Sequence, residues 1–107
     1  FFDKLAKDGK RVTRIKEAYE VINDGKSILT YGVIVSLSHK VTKDGKPMCF
    51  AKIEDLTDNI EVLIFEDILK KDPEVWKEGN AIAITGRISR RNGEPKILCN
   101  EAKKLIL

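Results

Sequence analysis

The chain is poor in the residues that bind metals. It has two cysteines, Cys49 and Cys99, and one histidine, His39, in 107 residues. A closed zinc site takes about four ligands, so neither a metal nor a cofactor is expected. An apolar run of the roughly 20 residues that a membrane helix needs is also missing, and no basic stretch leads into an apolar one at the N-terminus. No membrane partner and no secretory signal is read, and the expected location is cytoplasmic, with both cysteines reduced and packed as small hydrophobes. Methionine occurs once, at Met48 inside a predicted strand, and the first residue is Phe1; the chain therefore reads as a piece of a longer polypeptide. A catalytic constellation is lacking too. Glu54, Asp55, Asp58 and Glu61 come nearest to a two-metal acidic set, but Asp55 and Asp58 are ordinary turn residues and the two glutamates suit a solvated face. No catalytic residue is assigned.

What is present is a folded domain: 42% of the residues are hydrophobic and 35% charged, enough for one core. Residues 1–26 read as a linker followed by an amphipathic helix. Thr13 is its expected cap, Ile15, Ala18, Tyr19 and Ile22 its apolar stripe, and Asp24-Gly25 its stop. Residues 27–107 read as the domain proper. From Ile28 to His39, Leu29, Tyr31, Val33, Val35 and Leu37 alternate with Thr30, Gly32, Ile34, Ser36 and Ser38. That is a strand of about 40 Å at roughly 3.3 Å per residue, too long to stay straight, and Gly32 is the expected bend. A turn holding Asp44-Gly45 leads to a second strand with Cys49, Ala51 and Ile53 inward and Met48, Phe50, Lys52 and Glu54 outward. The third strand turns Ile60, Val62 and Ile64 inward, with Glu61 and Leu63 outside. Ile68, Leu69, Val75 and Trp76 follow at helical spacing, with Asp72-Pro73 restarting the helix and Trp76 as a plug under the barrel. Strand four carries Ile82, Ile84 and Ile88 inward around Gly86; Asn92-Gly93 makes a hairpin, and strand five runs from Lys96 to Ala102. The fold class is all-β: a five-stranded Greek-key barrel of the OB type, with a helix between strands three and four and an N-terminal helix. Periodicity alone also permits an SH3-like barrel; the helix after strand three favours OB.

Charge is unevenly spread over this plan. Residues 36–52 hold four lysines (Lys40, Lys43, Lys46, Lys52) against Asp44, and residues 87–96 hold Arg87, Arg90, Arg91 and Lys96 against Glu94. Residues 54–78 hold nine carboxylates against three lysines. Two basic hairpins on one small barrel point to an anionic partner. Phe50 lies on a face with Lys52 and Glu54, where a ring suits stacking on bases.

The run from Tyr31 to Phe65, the helix ending Lys77-Glu78-Gly79-Asn80 and the run from Ile84 to Leu98 resemble the OB-fold nucleic-acid-binding domain of the bacterial DNA polymerase III alpha subunit. The matching positions are Gly32, Phe50, Glu54-Asp55, Glu78-Gly79, Gly86-Arg87 and Gly93-Glu94-Pro95-Lys96. Class II aminoacyl-tRNA synthetase anticodon-binding domains are similar, but usually carry Leu-Arg-Asp where this chain has Ile53-Glu54-Asp55. The resemblance implies single-stranded DNA as partner, beside Lys40, Lys43 and Lys46 and stacked on Phe50. It also implies template handling in DNA replication, and contacts with other domains of the parent polymerase and with replisome subunits. The parent is a DNA-directed DNA polymerase, a nucleotidyltransferase whose chemistry would lie outside this chain. Family members often have a nearly continuous basic run in the first hairpin; Val41, Thr42 and Asp44 dilute it here, which implies weaker binding than that of a dedicated single-strand-binding protein. Two alternatives stand beside this reading. One is a protein–protein interaction module within the replisome, using Ile34, Met48, Leu63, Phe65 and Phe50 as an apolar outer patch. The other is an anticodon-binding-like RNA-binding domain.

The inward assignments carry a direct test: Ile53, Val62, Ile84 and Ile88 should share one core. Val62→Ala should then cost about 1–3 kcal/mol in chemical denaturation through lost burial and a small cavity. A change near zero would mean the strand faces were assigned the wrong way round.

Overall fold

A computed structural model describes residues 12–20, 25–90 and 93–105. The expected helix residues Ile22 and Asp24, the linker before residue 12, and Arg91 and Asn92 lie outside the described residues.

Five strands close into a barrel: β1 (Ser27–Val41), β2 (Pro47–Glu54), β3 (Asn59–Ile64), β4 (Ala81–Ser89) and β5 (Lys96–Lys104), in the spatial order β1-β2-β3-β5-β4. Every pairing is antiparallel except β3 with β5. A helical turn α1 (Ile15–Ala18) precedes β1; helix α2 (Glu66–Lys71) and a single 3-10 turn (Pro73–Val75) link β3 to β4. This is the OB arrangement that the order of elements predicts. Ile53, Val62, Ile84 and Ile88 are at most 1% exposed and belong to one cluster with Val75 and Trp76. Trp76 is thus a core residue, as its spacing predicts. The restart at Asp72-Pro73 yields only the 3-10 turn, with no side-chain cap from Asp72.

β1 departs from the predicted alternation. Ile28, Thr30, Gly32 and Ile34 are buried, while Val33 and Val35 are exposed. Ile34 is therefore a core residue and cannot belong to an outer patch. The strand pairs with β4 through Val33, then with β2 from Val33 onward, and the irregularity lies between Ile34 and Ser36. The break in register is at Val35 rather than Gly32. After that extra residue the faces exchange, so Leu37 and not Ser36 is partly buried against the core. Gly32 has a different role: a Cβ there would stand 3.1 Å from the Glu54 carbonyl oxygen and 3.2 Å from Ile53 Cβ, so its lack of a side chain lets β1 and β2 approach.

α1 is capped from a distance. Thr13 does not cap it; its N–H donates to the Leu29 carbonyl at 2.7 Å, beside a Val12–Leu29 bridge. The β2–β3 turn supplies the cap instead. Asp55 Oδ2 accepts the Ile15 N–H at 2.8 Å and Thr57 Oγ1 accepts the Lys16 N–H at 3.0 Å, satisfying donors that a helix start leaves open. Asp55 Oδ1 meanwhile accepts from the N–H groups of Thr57 and Asp58 and from the Thr57 hydroxyl. Tyr19 then donates its hydroxyl to the Asn59 carbonyl at 2.5 Å. Ile15 and Ala18, both fully buried, join the barrel core.

Burial works against ionisation of Asp55, but these four donors outweigh it and hold the carboxyl below its ordinary value. A depressed native pKa adds stability above the unfolded-state value near pH 4, and that stability is lost as the pH falls through the native value. Asp55→Asn should therefore cost about 1–2 kcal/mol at neutral pH, measured by urea unfolding, and the gap to the unmodified chain should close below about pH 4. A gap that persists in acid would show that charge is not what the cap uses. Gly86 gives a second test: a Cβ there would fall 2.4 Å from the Leu98 carbonyl oxygen and 2.7 Å from Ile97 Cγ2. Gly86→Ala should cost about 1–3 kcal/mol or more, because backbone of β5 must yield.

Candidate nucleic-acid interface

The register sets which outward side chains stand side by side. Ser38 of β1 faces Phe50 of β2, Phe50 faces Leu63 of β3, Leu63 pairs with Leu98 of β5, and Leu98 faces Arg87 of β4. One row of the outer surface thus crosses all five strands and is apolar in its middle. The adjacent row starts with Ser36, Lys52 and Glu61, continues through a Glu61–Lys96 ion pair at 3.3 Å, and ends with Ser89 opposite Lys96.

These rows border a groove of about 510 Å³. Phe50, Leu63, Phe65 and Leu98 supply its apolar lining, Arg87, Ser89 and Lys96 its polar side, with Gly25, Ile88 and Glu94 completing it. Phe65, 43% exposed, also lines a second groove of about 630 Å³ with Thr42, Asp44, Lys46, Pro47, Glu66, Asp67 and Lys70. The two grooves share the Phe65 ring, one on the β2–β3–β5 face and the other beside the first hairpin.

Of the residues predicted for the site, Phe50, Arg87 and Lys96 are brought together in the first groove, and Lys52 stands beside them in the next row. Lys46 reaches the second groove. Lys40 and Lys43 are exposed, Lys40 opposite Met48 near the end of the β1–β2 ladder and Lys43 in the turn, outside both grooves. Arg90 serves elsewhere: its Nη2 donates to the Tyr19 carbonyl at 2.6 Å, tying the β4–β5 hairpin to α1. Phe50 is half-buried rather than standing free on a polar face, because Leu63 is its cross-strand neighbour. Leu63 and Phe65, expected from the sequence only in a protein-binding outer patch, line the first groove, as do Leu98 and Ser89, for which no role is expected. Leu98 and Ser89 could have been found by writing the β4–β5 register out from Gly93, whose φ of +93° marks the hairpin.

Both cysteines point into the barrel, and burial pushes the Cys99 thiol up to about 12 and the Cys49 thiol up as well. Neither is available as a thiolate at neutral pH. Among the described residues no three His, Cys, Asp or Glu side chains gather closely enough to hold a metal, and no helix is long and apolar enough to cross a membrane. A further apolar surface, Tyr31, Val33, Val35, Leu56 and Leu105 around Gly32, shares no lining residue with the two grooves.

The family model described as an OB-fold nucleic acid binding domain, tRNA anti-codon, matches residues 11–105. DNA polymerase III subunit alpha of Saccharopolyspora erythraea is 32% identical over 71 residues, covering 66% of this chain and 6% of that protein. The chain spans only a small fraction of that relative's length. A domain of replication protein A from Methanococcus maripaludis superposes with a TM-score of 0.71 at 14% identity, covering 89% of this chain and 96% of the other. Asparaginyl-tRNA synthetase from Pyrococcus horikoshii gives 0.69 at 14% identity, covering 89% of this chain and 22% of the other. At such identities the superpositions speak to fold alone.

Proposed function

The chain belongs to the family of OB-fold nucleic acid binding domains, and from that premise we propose that it binds single-stranded DNA along the Phe50–Arg87 groove, as the OB domain of a bacterial replicative polymerase alpha subunit. One observation carries the reading. A ring and two leucines from three adjacent strands form an apolar floor with Arg87 and Lys96 at its side, the pairing of stacking surface and cations that single-strand binding requires. Phe50 stacks on a base, Arg87, Lys96 and Lys52 take phosphates, and Lys46, with Lys40 and Lys43 near it, continues the path beyond Phe65. Arg91 would add to the field from the second hairpin. Polymerase chemistry belongs to segments outside this chain, which contributes handling of the template strand in the cytoplasm, next to other domains of the parent and replisome subunits.

Two other readings have an observation each. The tRNA anti-codon description of the matching family supports RNA in the same groove. The apolar surface around Val33, Val35 and Leu56 supports a protein partner on another part of the barrel.

Titration of labelled single-stranded DNA, and of RNA of the same sequence, at two salt concentrations separates them. DNA affinity should fall with salt with a slope of about 0.7 per phosphate contact; tighter RNA binding would favour the anticodon-like reading, and no binding to either would favour the protein partner. Phe50→Ala should cost roughly 1–3 kcal/mol of affinity, Phe50→Trp should restore most of it and Phe50→Leu should not. Equal binding by the leucine variant would make Phe50 a packing residue and refute the assigned face.

A further inference from the structure

We infer that Glu61 is a built-in competitor for phosphate, which claims one cation of the groove and keeps the grip on a bound strand weak. The inference rests on the nucleic-acid reading of this groove and deepens it by naming the residue that limits affinity.

The geometry is specific to this position. Glu61 points outward from β3, directly opposite Lys52 on β2, and its Oε1 lies 3.3 Å from Nζ of Lys96 on β5. It thus sits between two lysines on the surface that a strand would cross. The pair is only partly exposed, Lys96 at 31% and Glu61 at 37%, so it is less screened than a fully solvated ion pair. By contrast, neither Lys52 nor Arg87 has a carboxylate within ion-pair distance among the described residues. A phosphate that reaches Lys96 must either break the Glu61 contact or remain beside a like charge. Either route reduces what Lys96 contributes to binding, and the row Lys52, Glu61, Lys96 offers a net single positive charge where two lysines would otherwise act together.

The consequence is measurable with the folded chain. Glu61→Gln keeps the size and shape of the side chain and removes its charge. Labelled oligo(dT) should then bind about threefold to tenfold tighter, the range for a partly exposed charge pair, with a salt slope steeper by about 0.7 as one more lysine engages phosphate. Lys96→Ala should weaken binding more in the E61Q background than in the unmodified chain, since only there is the lysine free. Glu94→Gln, which removes a charge elsewhere on the same groove, should gain less; an equal gain would mean that net charge alone is responsible and would overturn the inference. Unchanged or weaker oligo(dT) binding by E61Q would overturn it as well, while leaving DNA binding by the unmodified chain intact. A parallel titration with inorganic polyphosphate separates the opposite failure. If neither form binds oligo(dT) but E61Q binds polyphosphate more tightly, the DNA reading fails and the competition by Glu61 stands; if neither form binds either probe, both fall.

Discussion

In a closed five-stranded barrel every strand has two neighbours, but β1 divides its length between them, laddered to β4 through its first half and to β2 through its second. Val33 belongs to both ladders. A chain that changes partners must turn there, and the extra residue at Val35 provides the turn by rotating the strand by one side chain. The other irregularity falls between Thr85 and Gly86, where β4 meets β5. Gly86 lies at this second irregularity, where a Cβ would collide with the backbone of β5, whereas Gly32 precedes the first and eases the approach of β1 to β2. The groove depends on the result. Phe50, Leu63 and Leu98 come from three strands, and they stand in one row only because the closed register aligns them.

Strands with one uninterrupted register were legible from the chain. In β2 and β3, Cys49, Ala51, Ile53, Ile60, Val62 and Ile64 alternate cleanly and all are buried. β1 was not, for a physical reason: both of its alternating sets contain large aliphatic residues, and the exchange of faces at Val35 leaves no single period to detect. Phe50 was recognisable as an outward ring, but its partners Leu63 and Leu98 are ordinary strand residues until three-strand registry is known. Long-range capping was equally hidden. Thr13 is a reasonable cap by local rules, while Asp55 and Thr57 look like turn residues and act 40 and 41 positions away.

That cap also redistributes the basic residues. α1 is held at its start by the β2–β3 turn and beyond its end by Arg90 from the β4–β5 hairpin, and Gly25 donates to the Ile88 carbonyl close by. A segment of fewer than ten described residues thus joins two loops that are separate in sequence. The arginine used for this is one of the four cations that make the 87–96 segment basic, so the positive charge legible in the chain overstates what faces the groove. Local charge counts see composition; the tertiary hydrogen bonds decide which charges remain for a ligand.

The groove that remains is apolar in its floor and only lightly charged at its sides, and the two parts respond differently to their surroundings. Phosphate contacts weaken as salt rises, because bound counterions are released when they form; contact between a base and an aromatic or aliphatic floor depends far less on salt. On the proposed reading, affinity would therefore be shared between a salt-sensitive part reduced by Glu61 and a salt-tolerant part supplied by Phe50, Leu63 and Leu98. Neither part reads the identity of a base, since every base has a face to stack. A site of this composition suits a strand that must be held without regard to sequence and then released, and it is poorly suited to storing a strand for long. The same OB barrel can serve other ends, so it is this balance of floor and charge, rather than the fold, that favours a transient nucleic-acid contact.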